Sequence, residues 1–204
     1  MALRVWLPLT GTLENKGISN ITVTNTDANE IATVNTEGKI GSCYSFNGSG
    51  TRIHLSGTDL FNCIKGGTQP FSLALWVYHG DSRRAILFGD YGTTGAINFN
   101  LELTTGHIVR FYWNGNPDYN TGVNMGASVW SHLTMTYDGN KLCTYLNGVL
   151  AATNNITLSE KNKTSGEFFL GRDYRTSETA LKGRLNDFRV YDHCLSAAEV
   201  HEIS

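Results

Sequence analysis

The chain is 204 residues long, with a formal charge of −2, 22 glycines, 3 prolines and 4 cysteines. That near-neutral balance argues against nucleic acid, which demands a basic face, and no stretch approaches the roughly 20 apolar residues of a membrane-spanning helix. A chain of this length buries roughly 70% of the surface its unfolded form exposes, so a single domain over residues 1–204 needs neither disulfides nor metal to hold a core.

Val5, Leu7 and Leu9 alternate with Arg4, Trp6 and Pro8, which predicts a strand almost at the first residue. The same opening is no signal peptide, because its apolar run is short, is broken by Arg4 and Pro8, and lacks a small-residue cleavage site. A virion component or a cytoplasmically made protein is the expectation that follows. Residues 10–40 are polar and turn-rich, with β-prone runs at 21–24 and 31–34. Residues 42–46 and 51–55 then flank Asn47, Gly48, Ser49 and Gly50, a hairpin turn. Residues 71–78 are the clearest internal strand, with Phe71, Leu73, Leu75 and Val77 on one face. Further strands are expected at 85–88, 98–103 and 107–112, then at 130–137 and 141–146 around an Asp138-Gly139-Asn140 turn. Asn147-Gly148 turns the chain into a strand at 149–153, and 168–171 precedes the last loop. The final stretch is a long strand from Gly183 running into a short helix, where Ser196 and Glu199 stand at capping-box spacing.

Four of these segments carry a likeness. Leu185, Asp187, Phe188, Arg189, Val190, Tyr191, Leu195, Ser196, Glu199 and Val200 resemble the closing signature G-x-I-D-D-V-R-I-Y-x-x-x-L-S-x-x-E-I of the laminin-G-like, concanavalin A-like jelly rolls. Cys43 to Gly50 is similar to that family's A-x-x-F-D-G-S-G hairpin, and 71–77 to its F-T-I-S-A-W-V strand. The run from Trp130 to Gly148 resembles W-x-H-V-A-x-T-Y-D-G-x-x-x-x-Y-x-N-G. The resemblance covers roughly residues 40 to 200. It implies an all-β fold, a two-sheet antiparallel jelly-roll sandwich with a short C-terminal helix, and a binding module rather than a catalyst. The Leu3–Pro8 opening with its Asn/Thr-rich sequel also looks like the start of such domains in tailed-phage and prophage proteins.

The superfamily includes glucanases, so the resemblance also raises catalysis. A retaining glycosidase needs two carboxylates roughly 5 Å apart. Here Glu102 is alone on its strand, Asp187 has only Asp192 nearby, and no G-x-S-x-G elbow occurs. The six histidines lack metal-ligand spacing. Family members often hold calcium at the sandwich rim, and Asp90, Asp173, the 27–30 run and Asp187 are the oxygen donors available for it. Asn186 replaces the first aspartate of the family motif, which removes a charge from such a site. The alternative for Asp187 is a pair with Arg184 or Arg189.

A sugar offers hydroxyls for directional hydrogen bonds and an apolar C–H face for an aromatic ring. Loops that mix aromatics with amides and charges are therefore the glycan candidates, and function gathers on loops over a rigid scaffold. The residues in question are Tyr91, then Trp113, Asn114 and Tyr119, then Arg172, Asp173 and Tyr174. Trp113 or Tyr119, beside Asn114, is expected to stack on a sugar ring, with the 172–174 cluster as a facing polar wall; the alternative is that Tyr112 and Trp113 finish a core strand and Tyr119 packs locally. Trp76 and Trp130 are read as core residues. The four cysteines are expected to be free thiols, with no C-x-x-C pair among them, and the sequons at Asn20, Asn47, Asn155 and Asn162 carry weight only in a glycosylating pathway. The leading expectation is a lectin-like module for a bacterial-surface or dietary polysaccharide, with virion or other surface proteins as further partners. The alternatives are a structural or protein-interaction module, and a glycoside hydrolase with an unrecognised acidic pair.

Overall fold

The computed structural model describes residues 1–25, 32–57, 64, 69–90, 99–113, 119–158, 166–172 and 179–204. In chain order the strands are β1 (Leu3–Leu7), β2 (Thr22–Thr24), β3 (Thr33–Asn35), β4 (Cys43–Asn47), β5 (Ile53–Ser56), β6 (Phe71–His79) and β7 (Ala85–Gly89). There follow β8 (Phe99–Leu103), β9 (Ile108–Trp113), β10 (Tyr119–Asn124), β11 (Trp130–Tyr137), β12 (Lys141–Leu146), β13 (Val149–Asn155), β14 (Glu167–Leu170) and β15 (Lys182–Tyr191), and the chain closes with helix α1 (Ala197–Glu202).

All pairings are antiparallel and fall into two sheets. One has the order β13-β12-β11-β6-β15-β4-β3, with β1 pairing the second half of β15; the other runs β10-β9-β8-β7-β14-β5-β2. Two sheets stacked this way form a jelly-roll sandwich, and strand alternation fills the space between them. From the eight-stranded sheet come Phe71, Leu73, Leu75, Leu133, Met135, Phe188 and Val190; from the seven-stranded sheet come Phe88, Phe99, Leu101, Phe111 and Phe168. Phe88 and Phe188 meet across the layer at 4.8 Å between ring centres.

Antiparallel pairing sorts the connections onto two ends. Phe99 opposes Trp113 and Gly89 opposes Asn100, so the β7–β8 and β9–β10 connections share one end. The opposite end carries the Asn47–Thr51 hairpin, the β8–β9 turn and both limits of the β14–β15 connection, where the Leu181 amide donates to the Gly171 carbonyl and its carbonyl accepts from the Gly48 amide. The hairpin is held as its sequence suggests: Asn47 Oδ1 accepts from the amides of Ser49 and Gly50, and Gly48 has a φ of 76° that a side chain would resist.

α1 lies on the outside of the eight-stranded sheet. Ser196 and Glu199 form the expected capping box, and Val200 is buried. Leu195 and Val200 pack there with Tyr145 and Tyr191. Asp187 is the extra residue at a bulge between Asn186 and Arg189, with a φ of 54°. The bulge restores the inward phase, so Leu185 and Phe188 both reach the core. Trp130 corrects the core expectation, and both it and Trp76 project from the outer face, opposite Tyr78 and Asn186. Trp76 is covered there, with the Lys39 ammonium 4.6 Å from its ring, and Trp130 is only half-buried. No helix among the described residues is long and apolar enough to cross a membrane.

Candidate functional site

The outer face of the seven-stranded sheet is the part of the fold whose chemistry is not explained by packing. On β8 and β9 the alternation sends Phe99, Leu101, Leu103, Val109, Phe111 and Trp113 inward. It sends Asn100, Glu102, Arg110 and Tyr112 outward, where Asn100 pairs with Tyr112 and Glu102 with Arg110. Phe169 and His54 continue this strip on β14 and β5, where they are cross-strand partners. Their rings stack at 4.8 Å with 18° between planes, and the Arg52 guanidinium lies 5.0 Å from the Phe169 ring.

Residues on a solvent-side face are ordinarily exposed, yet Asn100 and Glu102 are 0% and Phe169 3% exposed. The Glu102 carboxylate accepts hydrogen bonds from Arg84 Nε at 3.2 Å and Arg84 Nη2 at 2.6 Å, and from Arg110 Nε. A buried carboxylate is tolerated on such terms, with both oxygens occupied by guanidinium donors. Asn100 is different. Neither its amide nitrogen nor its amide oxygen has a hydrogen-bond partner among the described residues. Its Oδ1 lies where a Cβ on Gly89 would stand, 2.0 Å away, so glycine at 89 is what makes room for the amide. An unsatisfied buried amide costs about 1–3 kcal/mol, and native proteins keep few of them without a use.

The residues expected from sequence are distributed differently. Trp113 is fully buried on the inner face, 6.1 Å from Phe99 and 6.3 Å from Phe111 between ring centres, so it offers no ring face to a ligand. Tyr119 pairs with Phe111 and packs half-buried against the core. Tyr91, Asn114, Asp173 and Tyr174 lie outside the described residues. Arg172 donates through Nη1 to the Gly50 carbonyl at 3.3 Å, which places it at the end opposite Trp113. The facing wall expected from 172–174 therefore starts from the wrong end of the sandwich, because β14 runs antiparallel to β7.

The carboxylates considered for calcium are not gathered either. Asp90 is fully buried and closes its own hairpin: Oδ1 accepts from the Phe99 amide at 2.7 Å while its own amide donates to the Phe99 carbonyl. Asp187 accepts from Trp6 Nε1 at 2.7 Å and pairs with Arg189 Nη2 at 2.8 Å. It belongs to the other sheet, and it is the arginine-paired alternative that the structure displays. Asp173 lies outside the described residues, and among those residues no group of three His, Cys, Asp or Glu side chains is placed to hold a metal ion. Cys43, Cys143 and Cys194 are free thiols, and Cys63 is outside the described residues.

Residues 47–201 match a laminin G-type family model described as the concanavalin A-like lectin/glucanases superfamily. The chain belongs to that superfamily. No curated protein matches it in sequence. Among solved structures it is similar to domain 4 of AbnA, a GH43 extracellular arabinanase from Geobacillus stearothermophilus, in complex with arabinotriose. That likeness has 20% identity and a TM-score of 0.71, over 99% of this chain and 98% of the other. It is also similar to the binding domain of Paraclostridial Mosquitocidal Protein 1, at 15% identity and TM-score 0.74, over 99% of this chain and 51% of that one. The botulinum neurotoxin serotype D binding domain gives 14% identity and TM-score 0.71, over 99% and 50%. This chain thus spans about half the length of those toxin domains. At these identities the likenesses speak for the superfamily fold alone.

Within the superfamily fold, sequence reasoning passed over Asn100 and Arg110, and placed Tyr112 only at the end of a strand beside the candidate loop. A signal was present: Arg110 marks the outward phase of β9, and Tyr112 shares that phase while Trp113 does not. Nothing in the sequence marks Asn100 as an unsatisfied amide, since that depends on what surrounds it.

Proposed function

We propose that this protein recognises a carbohydrate without cleaving it, and that the ligand lies across the outer face of the seven-stranded sheet. The observation that carries this reading is the Asn100 amide, buried on that face with neither polar atom hydrogen-bonded among the described residues. A primary amide offers a donor and an acceptor side by side, and vicinal sugar hydroxyls are the complement of that pair. Half-buried Tyr112, its cross-strand neighbour, supplies an aromatic surface for a sugar's C–H face. A ligand seated over Tyr112 and Arg110 lies on the face that carries Asn100, whose buried amide is the floor of the site. The fold shared with an arabinanase domain bound to arabinotriose supports the same reading. Cleavage is disfavoured because Glu102 is engaged on both oxygens and the residue two places before it on the same face is an amide, which leaves the acid–nucleophile pair of a retaining enzyme unfilled. The ligand class is a bacterial-surface or dietary polysaccharide, and the setting is a phage tail or another extracellular assembly, on the strength of the amino-terminal resemblance.

A glycan array followed by calorimetry on the best hit tests this. Tyr112→Ala should weaken binding by about 1–2 kcal/mol, roughly tenfold, with the purified variant still folded. Full affinity in that variant moves the ligand off this face. A blank array with capture of a protein partner favours the structural or protein-interaction module instead.

A further inference from the structure

We propose that Cys143 and Cys194 form a dithiol that closes into a disulfide under oxidising conditions and staples the C-terminal segment to the eight-stranded sheet. The two cysteines are 51 positions apart in sequence (194 minus 143), and the fold brings them to one patch of one face. Cys143 lies on β12, directly opposite Thr136 on one side and Thr153 on the other. Its side chain packs against the cluster of Tyr145, Tyr191, Leu195 and Val200 beneath α1.

Cys194 is delivered to the same patch by a clamp. Ser72 Oγ donates to the His193 carbonyl at 2.8 Å and accepts from the Leu195 amide at 2.9 Å, so the backbone on both sides of Cys194 is pinned above β6. Ser72 pairs with Thr136 and Thr136 pairs with Cys143. Thr136 and Cys143 both lie near enough to the Cys194 thiol to bear on its ionisation. Thr136 is thus the common neighbour of both sulfurs. Cys143 Sγ now faces Thr153 Oγ1 at 3.7 Å and Cys194 Sγ faces the Leu195 carbonyl at 3.8 Å. Closure turns both sulfurs over Thr136 and draws the short 192–196 segment toward β12, because a disulfide demands close approach of the two Cβ atoms. Both residues are only partly buried, whereas Cys43 is buried on β4 and lies outside this patch.

The chemistry is thiol–disulfide exchange with a low-molecular-weight disulfide such as oxidised glutathione. The Cys143 thiolate attacks one glutathione sulfur, forming a mixed disulfide and expelling one glutathione thiolate. The Cys194 thiolate then attacks the Cys143 sulfur and expels the second. Two protein thiols are oxidised, one glutathione disulfide is reduced to two thiols, and the two protons released go to the departing thiolates. Burial holds the Cys194 thiol above its ordinary range, so less of it is thiolate; the second step relies on the partner sulfur being tethered beside it and on mildly alkaline conditions.

The test is incubation of the folded protein with excess oxidised glutathione in mildly alkaline buffer, then alkylation and peptide mapping without reduction. The expected product has lost two hydrogens and yields a Cys143–Cys194 linked peptide, with Cys43 and Cys63 recovered as alkylated thiols. Its melting midpoint should rise by several degrees and return on reduction, as expected when a long loop of the unfolded chain is closed. Cys143→Ser should give at most a single glutathione adduct and no such rise. Separate glutathione adducts at both cysteines of the natural protein, two unmodified thiols, or a link through Cys43 or Cys63 would each overturn the proposal.

Discussion

Replacing Asn100 by Leu probes the unsatisfied amide most sharply, because it should improve the fold while damaging the function. Leucine shares the branched shape of asparagine but is larger, so it fills the buried space on β8 and some of the gain is lost to tighter packing against Gly89. The two polar atoms that lack partners disappear. Removing such a group recovers about 1–3 kcal/mol, and the better strand preference of leucine acts in the same direction within a scale of about 1 kcal/mol. For a chain of this size 1 kcal/mol moves the melting midpoint by about 2–4 °C, so a rise of about 2–10 °C is expected. Urea titration, with an unchanged dependence on denaturant, gives the free energy directly. Glycan affinity should fall in the same variant. Asn100→Asp should do the reverse to stability, costing at least about 2 kcal/mol, because it buries a charge beside Glu102. If Asn100→Leu instead loses more than about 1 kcal/mol, the amide is satisfied in the native protein and the reasoning that makes it a ligand group fails.

Glu102→Gln leaves Arg84 and Arg110 facing an uncharged partner; given their partial exposure, a loss of about 2–3 kcal/mol in urea titration is expected, below the range for wholly buried pairs. Trp113→Ala should melt early, with a cost of about 3–5 kcal/mol, while a variant that keeps its midpoint would show the ring to be outside the core. Burial lowers the imidazoles of His79 and His132 from 6.5 to about 4, helped by the charge of His107 at the first and of Arg189 at the second, and opposed by Asp81 and Asp187. Since the unfolded chain takes up these protons first, stability is complete above pH 6.5 and falls as pH drops toward 4, by on the order of 3 kcal/mol for each histidine. His132→Gln should flatten that fall between urea titrations at neutral and acidic pH, and an equally steep fall would assign it to other groups.

The closing strand and helix were legible because local chemistry specifies them: the capping box of Ser196 and Glu199 needs only residues within one turn. The 71–78 strand was equally plain, since its alternation survives burial on both sides. β10 was not legible. Its Tyr-Asn-Thr-Gly-Val-Asn sequence has little strand character, and the strand exists because Tyr119 and Asn120 pair with Phe111 and Arg110. The site was missed through phase and partnership. Reading Trp113 as a loop residue overlooked that it continues the inward series of Val109 and Phe111. Glu102 was solitary in the sequence because its partner Arg84 precedes another strand, and only the β7–β8 register brings the two together. Arg172 and Trp113 both sit at loop boundaries, and the strand directions alone decide that those boundaries face opposite ends.

Amide chemical-shift mapping during titration with the strongest array ligand tests the central claim most directly. The account predicts that the largest shifts fall on Asn100–Glu102 and Arg110–Tyr112, with smaller ones on His54 and Phe169, and that the outer face of the eight-stranded sheet around Trp76, Trp130 and α1 stays silent. Shifts concentrated on that second face, or on the Asn47–Thr51 end of the sandwich, would contradict it.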